Sequence, residues 1–183
     1  MEVIDLPLPG LKLVKPRLFR DERGHFTELM HGPRYAQAGL PASFVQDNLS
    51  HSRKDVLRGL HYQHPLWQGK LITVVEGVIF DVAVDLRRGS ATLGKWYGQE
   101  LSGDDHMQIY VPVGFAHGFC VMSETASVHY KCTELYDPAG EQTILATDPD
   151  LGIRWPCTNP VLSAKDAAGK RFKEVGSGLS YGS

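Results

Sequence analysis

The densest cluster of residues able to do chemistry is the run VLRGLHYQ at 56–63, with Lys70 nine residues beyond its histidine. His61 is a candidate general base, because an imidazole titrating at roughly 6.5 can be neutral at cellular pH and ready to accept a proton. The cations of Arg58 and Lys70 suit anionic substrate groups or charge that develops during a reaction. In a regular strand, side chains alternate faces, so Arg58 and His61 should point to opposite sides. A bulge at Gly59 would turn both toward one cavity. By itself, a histidine in such a run is an ordinary strand residue, and Lys70 an ordinary lysine at a strand start.

The elements that must position this cluster are short and β-rich. From 45 to 133 the chain alternates runs of Val, Ile, Tyr and Phe with Gly, Pro, Asp or Ser, as in KLITVV (70–75), VIFDVAVD (78–85), QIYV (108–111) and SVHYKCT (127–133). That rhythm predicts strands, and Glu76-Gly77 predicts a tight hairpin between the first two of these runs. Helix is confined to 33–38, with Pro33 at its start and Gly39 after its end, and to a capped turn at 163–168 beginning on Ser163. The fold class expected is all-β, an antiparallel barrel or jelly roll with a few short peripheral helices, since closure removes exposed strand edges.

The length of 183 residues fits one hydrophobic core, so residues 1–183 read as a single domain with 176–183 a loosely ordered tail. A net charge of -2, from 19 basic and 21 acidic residues without a basic run, offers no footprint for nucleic acid or an anionic membrane. Neither a leader-like apolar stretch nor a window of about 18 apolar residues occurs, so a cytoplasmic protein with a small ligand is expected. Cys120, Cys132 and Cys157 lack a CxxC pair and read as reduced, the first two packed in strands.

Around His61 and again at 112–117 the chain resembles a cupin. The positions of that family's His-x-His, glutamate and glycine are held by His61, Gln63, Lys70 and Gly77, while Pro-x-Gly-x-x-His is intact as PVGFAH (112–117), ending on His117. A lysine cation in the carboxylate's place would repel a metal ion, so no metal is expected. His64 and His129 are offered as replacement ligands only weakly. His129 should face away from the barrel if Tyr130 faces in.

A closer resemblance covers nearly the whole chain. FRDERGHF (19–26), FVQDN (44–48), LRGLHYQ (57–63), FDVAVD (80–85), GFAHGF (114–119), YK (130–131) and LSAKD (162–166) are similar, in order, to the dTDP-4-dehydrorhamnose 3,5-epimerase family of the cupin superfamily. The resemblance implies a jelly-roll homodimer without a cofactor, acting on a dTDP-linked 4-keto-6-deoxy sugar. Epimerisation beside a ketone needs a base on one ring face, an acid on the other and a group that stabilises the enolate between.

The resemblance casts His61 as the base, Asp166 as the carboxylate that orients it, Tyr130 as the opposing acid and Lys70 as the enolate's cation. An ordinary helix-capping role for Asp166 competes with that casting. Arg58 and Arg23 are implied for the diphosphate, and Arg23, Phe26 and Glu28 for reaching into the neighbouring subunit's site. Gln46, Asn48, His117, Tyr136 and Lys165 complete the implied substrate contacts. The chain departs from the family at ILATDP (144–149), where Trp-Asn-Asp is frequent. Epimerisation at C3 or C5 alone, or sugar binding without catalysis, remain open alternatives.

Overall fold

The computed structural model describes residues 1–175 and Leu179; the expected tail at 176–183 otherwise lies outside the described residues. Thirteen strands and two short helices follow one another as β1 (Glu2–Asp5), β2 (Lys12–Lys15), β3 (Leu18–Asp21), β4 (Gly24–Thr27), α1 (Gly32–Gln37), β5 (Gln46–Arg53), β6 (Leu57–Gln63), β7 (Lys70–Glu76), β8 (Val78–Asp85), β9 (Trp96–Ser102), β10 (Gln108–Val111), β11 (Phe115–Val121), β12 (Thr125–Cys132), β13 (Glu141–Thr143) and α2 (Ala164–Ala167), with a 3-10 turn at Phe172–Glu174. Six strands pair in the order β1-β2-β10-β7-β12-β5, five in the order β13-β6-β11-β8-β9, and β3 with β4 forms a separate ribbon. Every strand pair is antiparallel. This is the expected all-β jelly-roll class. Among the described residues no helix is long and apolar enough to cross a membrane.

The two large sheets enclose one core, in which Ile72 and Val74 of β7 and Val128 of β12 meet Ile79 and Ala83 of β8 and Phe119 of β11. The outer face of each sheet is covered as well. Helix α1 lays Tyr35 on Val14 and Leu71 of the six-stranded sheet. The C-terminal segment lays Ile144, Ala146, Leu151 and Cys157 on Leu57, Leu60, Val82, Val84 and Cys120 of the five-stranded sheet. Covering on both faces explains why β11 is buried at every residue, with His117 its one polar side chain.

One sequence expectation fails here. Strands β7 and β8 are not hydrogen-bonded to each other; the turn between them carries the chain from one sheet to the other. Gly77 adopts φ +82°, and a Cβ there would run into the Thr125 carbonyl. The glycine was needed, but for a corner between packed sheets rather than a hairpin. The expected helix at 33–38 is present as α1. His31 Nδ1 accepts a hydrogen bond from the Arg34 amide, and Gly39 follows at φ +72°.

Candidate active site

The cluster around His61 lines a cavity of about 190 Å³ between the sheets, bounded by Arg58, His61, His117, Lys70, Tyr130 and Glu141 among others. Arg58 and His61 share that cavity because β6 carries one extra residue. Across β6 and β11, His61 pairs with His117 and Arg58 with Phe119, three steps on one strand against two on the other. The bulge falls at Gly59, with φ +112°. A Cβ on Gly59 would lie 2.7 Å from both the Gly118 Cα and the His117 carbonyl oxygen, so only glycine permits this approach. The expected bulge is therefore present.

Behind His61 stands the carboxylate delivered by α2. His61 Nε2 lies 2.5 Å from Asp166 Oδ1, across 105 residues of sequence. The C-terminal segment reaches it by running along β6, where the amide of Leu57 donates to Val161 and those of Leu60 and Ile144 exchange hydrogen bonds. The two readings of Asp166 do not compete. Ser163 Oγ caps the helix by accepting from the Asp166 amide and donates to Asp166 Oδ2 at 2.9 Å, while Oδ1 remains for His61. Burial works to raise the Asp166 pKa, but the hydrogen bond and charge of His61, with Ser163 and Lys165, hold it below the usual carboxylate value. With Nε2 tied to Asp166, Nδ1 is the His61 atom left to take a proton.

The facing sheet supplies the other groups. Tyr130, on β12, alternates with His129 and Lys131, which turn to Asp47 outside the barrel. Burial, with smaller effects of Cys132 and Glu141, raises the phenol pKa against the opposing charge of Arg58, so Tyr130 keeps its proton at neutral pH. Lys70 begins β7 beside Cys132. Burial lowers its pKa, opposed by the negative charges nearby, and its ammonium meets no hydrogen-bond partner among the described residues.

A second cavity of about 270 Å³ shares His61, Lys70, Tyr130 and Glu141 with the first and adds Gln46, Asn48, Gln68 and Tyr136. Gln46 accepts from the Tyr136 amide at 2.8 Å and donates to Asn48 at 3.0 Å. Glu141 ties this mouth together by accepting from the Tyr136 hydroxyl at 2.7 Å and pairing with Lys165 at 2.6 Å. Burial pushes the Glu141 pKa up, but those contacts outweigh it and keep the carboxylate ionised.

Sequence reasoning missed Glu141, Gln68 and Asp81, the buried partner of His117 at 2.8 Å. Asp81 sat inside a quoted block without a role, whereas Glu141 stands outside every motif. Gln63 does not face the cavity chemistry; its side chain holds loops by bonding Leu66, Leu135 and Asp137. His64 packs edge-on against Trp67.

Arg23, Phe26 and Glu28 are not brought to this cavity. Arg23 and Phe26 line a depression on the β3–β4 ribbon, where Arg23 is paired with Asp21, and Glu28 is paired with Arg34 at 2.9 Å. The ILATDP departure at 144–149 is structural. Ile144 and Ala146 enter the outer core, and the Asp148 carboxylate accepts from the Phe172 and Asp150 amides. Cys120 and Cys157 are free thiols with sulfurs 2.7 Å apart. Among the described residues no three His, Cys, Asp or Glu side chains gather as a metal site.

A family model described as dTDP-4-dehydrorhamnose 3,5-epimerase matches residues 5–174. The chain is 50% identical to the enzyme of that description from Neisseria gonorrhoeae over 96% of its own length, spanning 54% of that longer protein. It is 48% identical to the Pseudomonas aeruginosa enzyme, covering 96% of this chain and 98% of that one. Its fold superposes at a TM-score of 0.93 on the Legionella pneumophila dTDP-6-deoxy-D-glucose-3,5-epimerase solved in complex with dTDP-4-keto-L-rhamnose. That pair is 45% identical, with coverage of 100% and 99%.

Proposed function

Because this chain belongs to the dTDP-4-dehydrorhamnose 3,5-epimerase family, we propose that it inverts C3 and C5 of dTDP-4-dehydro-6-deoxy-D-glucose to give dTDP-4-dehydro-L-rhamnose. The observation that carries the reading is the placement of His61 and Tyr130 on facing sheets, around one cavity that also holds Lys70.

Each inversion follows from those groups. His61 Nδ1 removes the proton beside the C4 ketone, and Asp166 stabilises the imidazolium that forms. The electron pair moves onto the C4 oxygen, where the Lys70 ammonium meets the growing negative charge. Tyr130 then delivers its proton to the opposite face of the carbon, and solvent restores both groups before the second centre reacts. Arg58 serves the diphosphate, Tyr136 and the Gln46–Asn48 pair serve the mouth where the nucleotide would lie, and Lys165 acts through Glu141.

The reading includes one domain over 1–183, a cytoplasmic location and a homodimer. Phe26 is 68% exposed, and Arg23 and Glu28 lie away from the chain's own cavity, which is consistent with a role at a partner's site. Light scattering on the purified chain should return twice the monomer mass.

The deciding experiment is incubation with the 4-keto sugar nucleotide in deuterium oxide, followed by NMR. Deuterium at both C3 and C5 is expected. Label at one carbon would limit the enzyme to a single centre, and tight binding without label would make it a sugar-binding protein. The mechanism calls on no cofactor; activity that tracked stoichiometric iron, manganese or zinc would overturn that part.

A further inference from the structure

His117 has a carboxylate of its own. Its Nε2 lies 2.8 Å from Oδ2 of Asp81, a side chain with no solvent exposure, on the neighbouring strand β8. His117 is also the register partner of His61 across β6 and β11. Two imidazoles, each backed by an aspartate, therefore stand side by side on one wall of the cavity. The steps assigned to His61 and Asp166 leave the second pair without a task.

Asp81 is unusual in a further respect. Its other oxygen, Oδ1, is buried and meets no hydrogen-bond donor, a costly arrangement for a carboxylate. Lys70 lines the same cavity, and among the described residues its ammonium has no hydrogen-bond partner. His61, Tyr130, Arg58 and Glu141 are the other charged or titratable groups lining that cavity. Tying His117 Nε2 to a carboxylate makes Nε2 the N–H nitrogen. Nδ1 then keeps its lone pair and can accept a hydroxyl hydrogen of the sugar.

We infer that Asp81 is a positioning residue for the epimerisation. Its Oδ2 holds His117 so that Nδ1 is presented to the sugar ring. The inference rests on the epimerase reading above.

Two measurements test it. Long-range proton–nitrogen NMR on the free wild-type protein should find neutral His117 protonated on Nε2; protonation on Nδ1 would overturn the proposal without any assay of activity. Asp81→Asn keeps the shape but removes the charge. Its kcat is expected to fall on the order of 10- to 100-fold with KM nearly unchanged, as for loss of an orienting carboxylate, and its His117 should show mixed tautomers. Wild-type kcat together with an unaltered tautomer in Asp81→Asn would refute the role. If the variant does not fold, the wild-type tautomer decides. Absence of deuterium exchange in the wild type would instead remove the epimerase reading and leave the tautomer result standing.

Discussion

Lys70 shows at the scale of one residue how this site sets stability against reactivity. Folding partly buries its ammonium without a hydrogen-bond acceptor among the described residues, and burial lowers its pKa, so the charge is a cost to the fold. Lys70→Met should raise the thermal midpoint while lowering kcat on the order of 10²-fold or more, as for loss of a group aimed at a developing oxyanion. Because the folded pKa lies below the ordinary lysine value, the penalty is full wherever the lysine is charged in both states. It disappears as pH rises past the unfolded pKa. The gain in midpoint should therefore be present at neutral pH and vanish in strong alkali, a dependence readable from thermal melts across pH. Asp166 resolves a different conflict, dividing its two oxygens between Ser163 at the helix start and His61.

At the scale of elements, the site depends on an irregularity in β6. Had that strand kept its alternation, the three-residue spacing of Arg58 and His61 would have put one of them outside the barrel. Gly59 and Gly118 face each other where the extra residue is absorbed, so their backbones meet without side chains between. Gly59→Ala should destabilise the fold by at least about 1–3 kcal/mol, the cost of a positive-φ side chain before the backbone clash is added. Activity should fall further than stability does, because His61 would move relative to Tyr130. Chemical denaturation together with kcat on the folded fraction checks this, and a variant with native stability and turnover would show the bulge to be dispensable. Helix α2 is only one turn long, so the hydrogen bonds of the preceding segment to β6 must hold it in place.

At the scale of the whole molecule, the ends of the sheets carry polar clusters that tie loops to the core. Asp85, at the end of β8, is fully buried. Burial pushes its pKa up, but hydrogen bonds from Arg87, Ser90, Thr92 and the Arg87 amide prevail and hold it at about 2. A carboxylate depressed in the folded state contributes stability above its unfolded pKa and loses it as pH falls through the folded one. Asp85→Asn should cost on the order of 2 kcal/mol at neutral pH. The gap to wild type should close between about pH 4 and pH 2, measured by denaturant unfolding at each pH. An unchanged gap at pH 2 would assign the loss to packing rather than charge.

By itself, the sequence pointed to the β class, the short helices, the family and most of the candidate site residues. Each of these is local or carried by a motif: strand rhythm by residue type, α1 by Pro33 and Gly39, the candidate site at His61 and Lys70 by the motifs that carry the family resemblance. Gly59, between an Arg58 and a His61 whose three-residue spacing would split them across a regular strand, marked where a bulge could bring both to one cavity. Tertiary structure decided what depends on packing between distant segments. It turned Gly77 from a hairpin into a corner between sheets, and it set Tyr130 opposite His61. It also brought Glu141 into the mouth and gave His117 its buried aspartate. None of these could be read from spacing along the chain, because a side chain's partners across two stacked sheets depend on how the sheets pack.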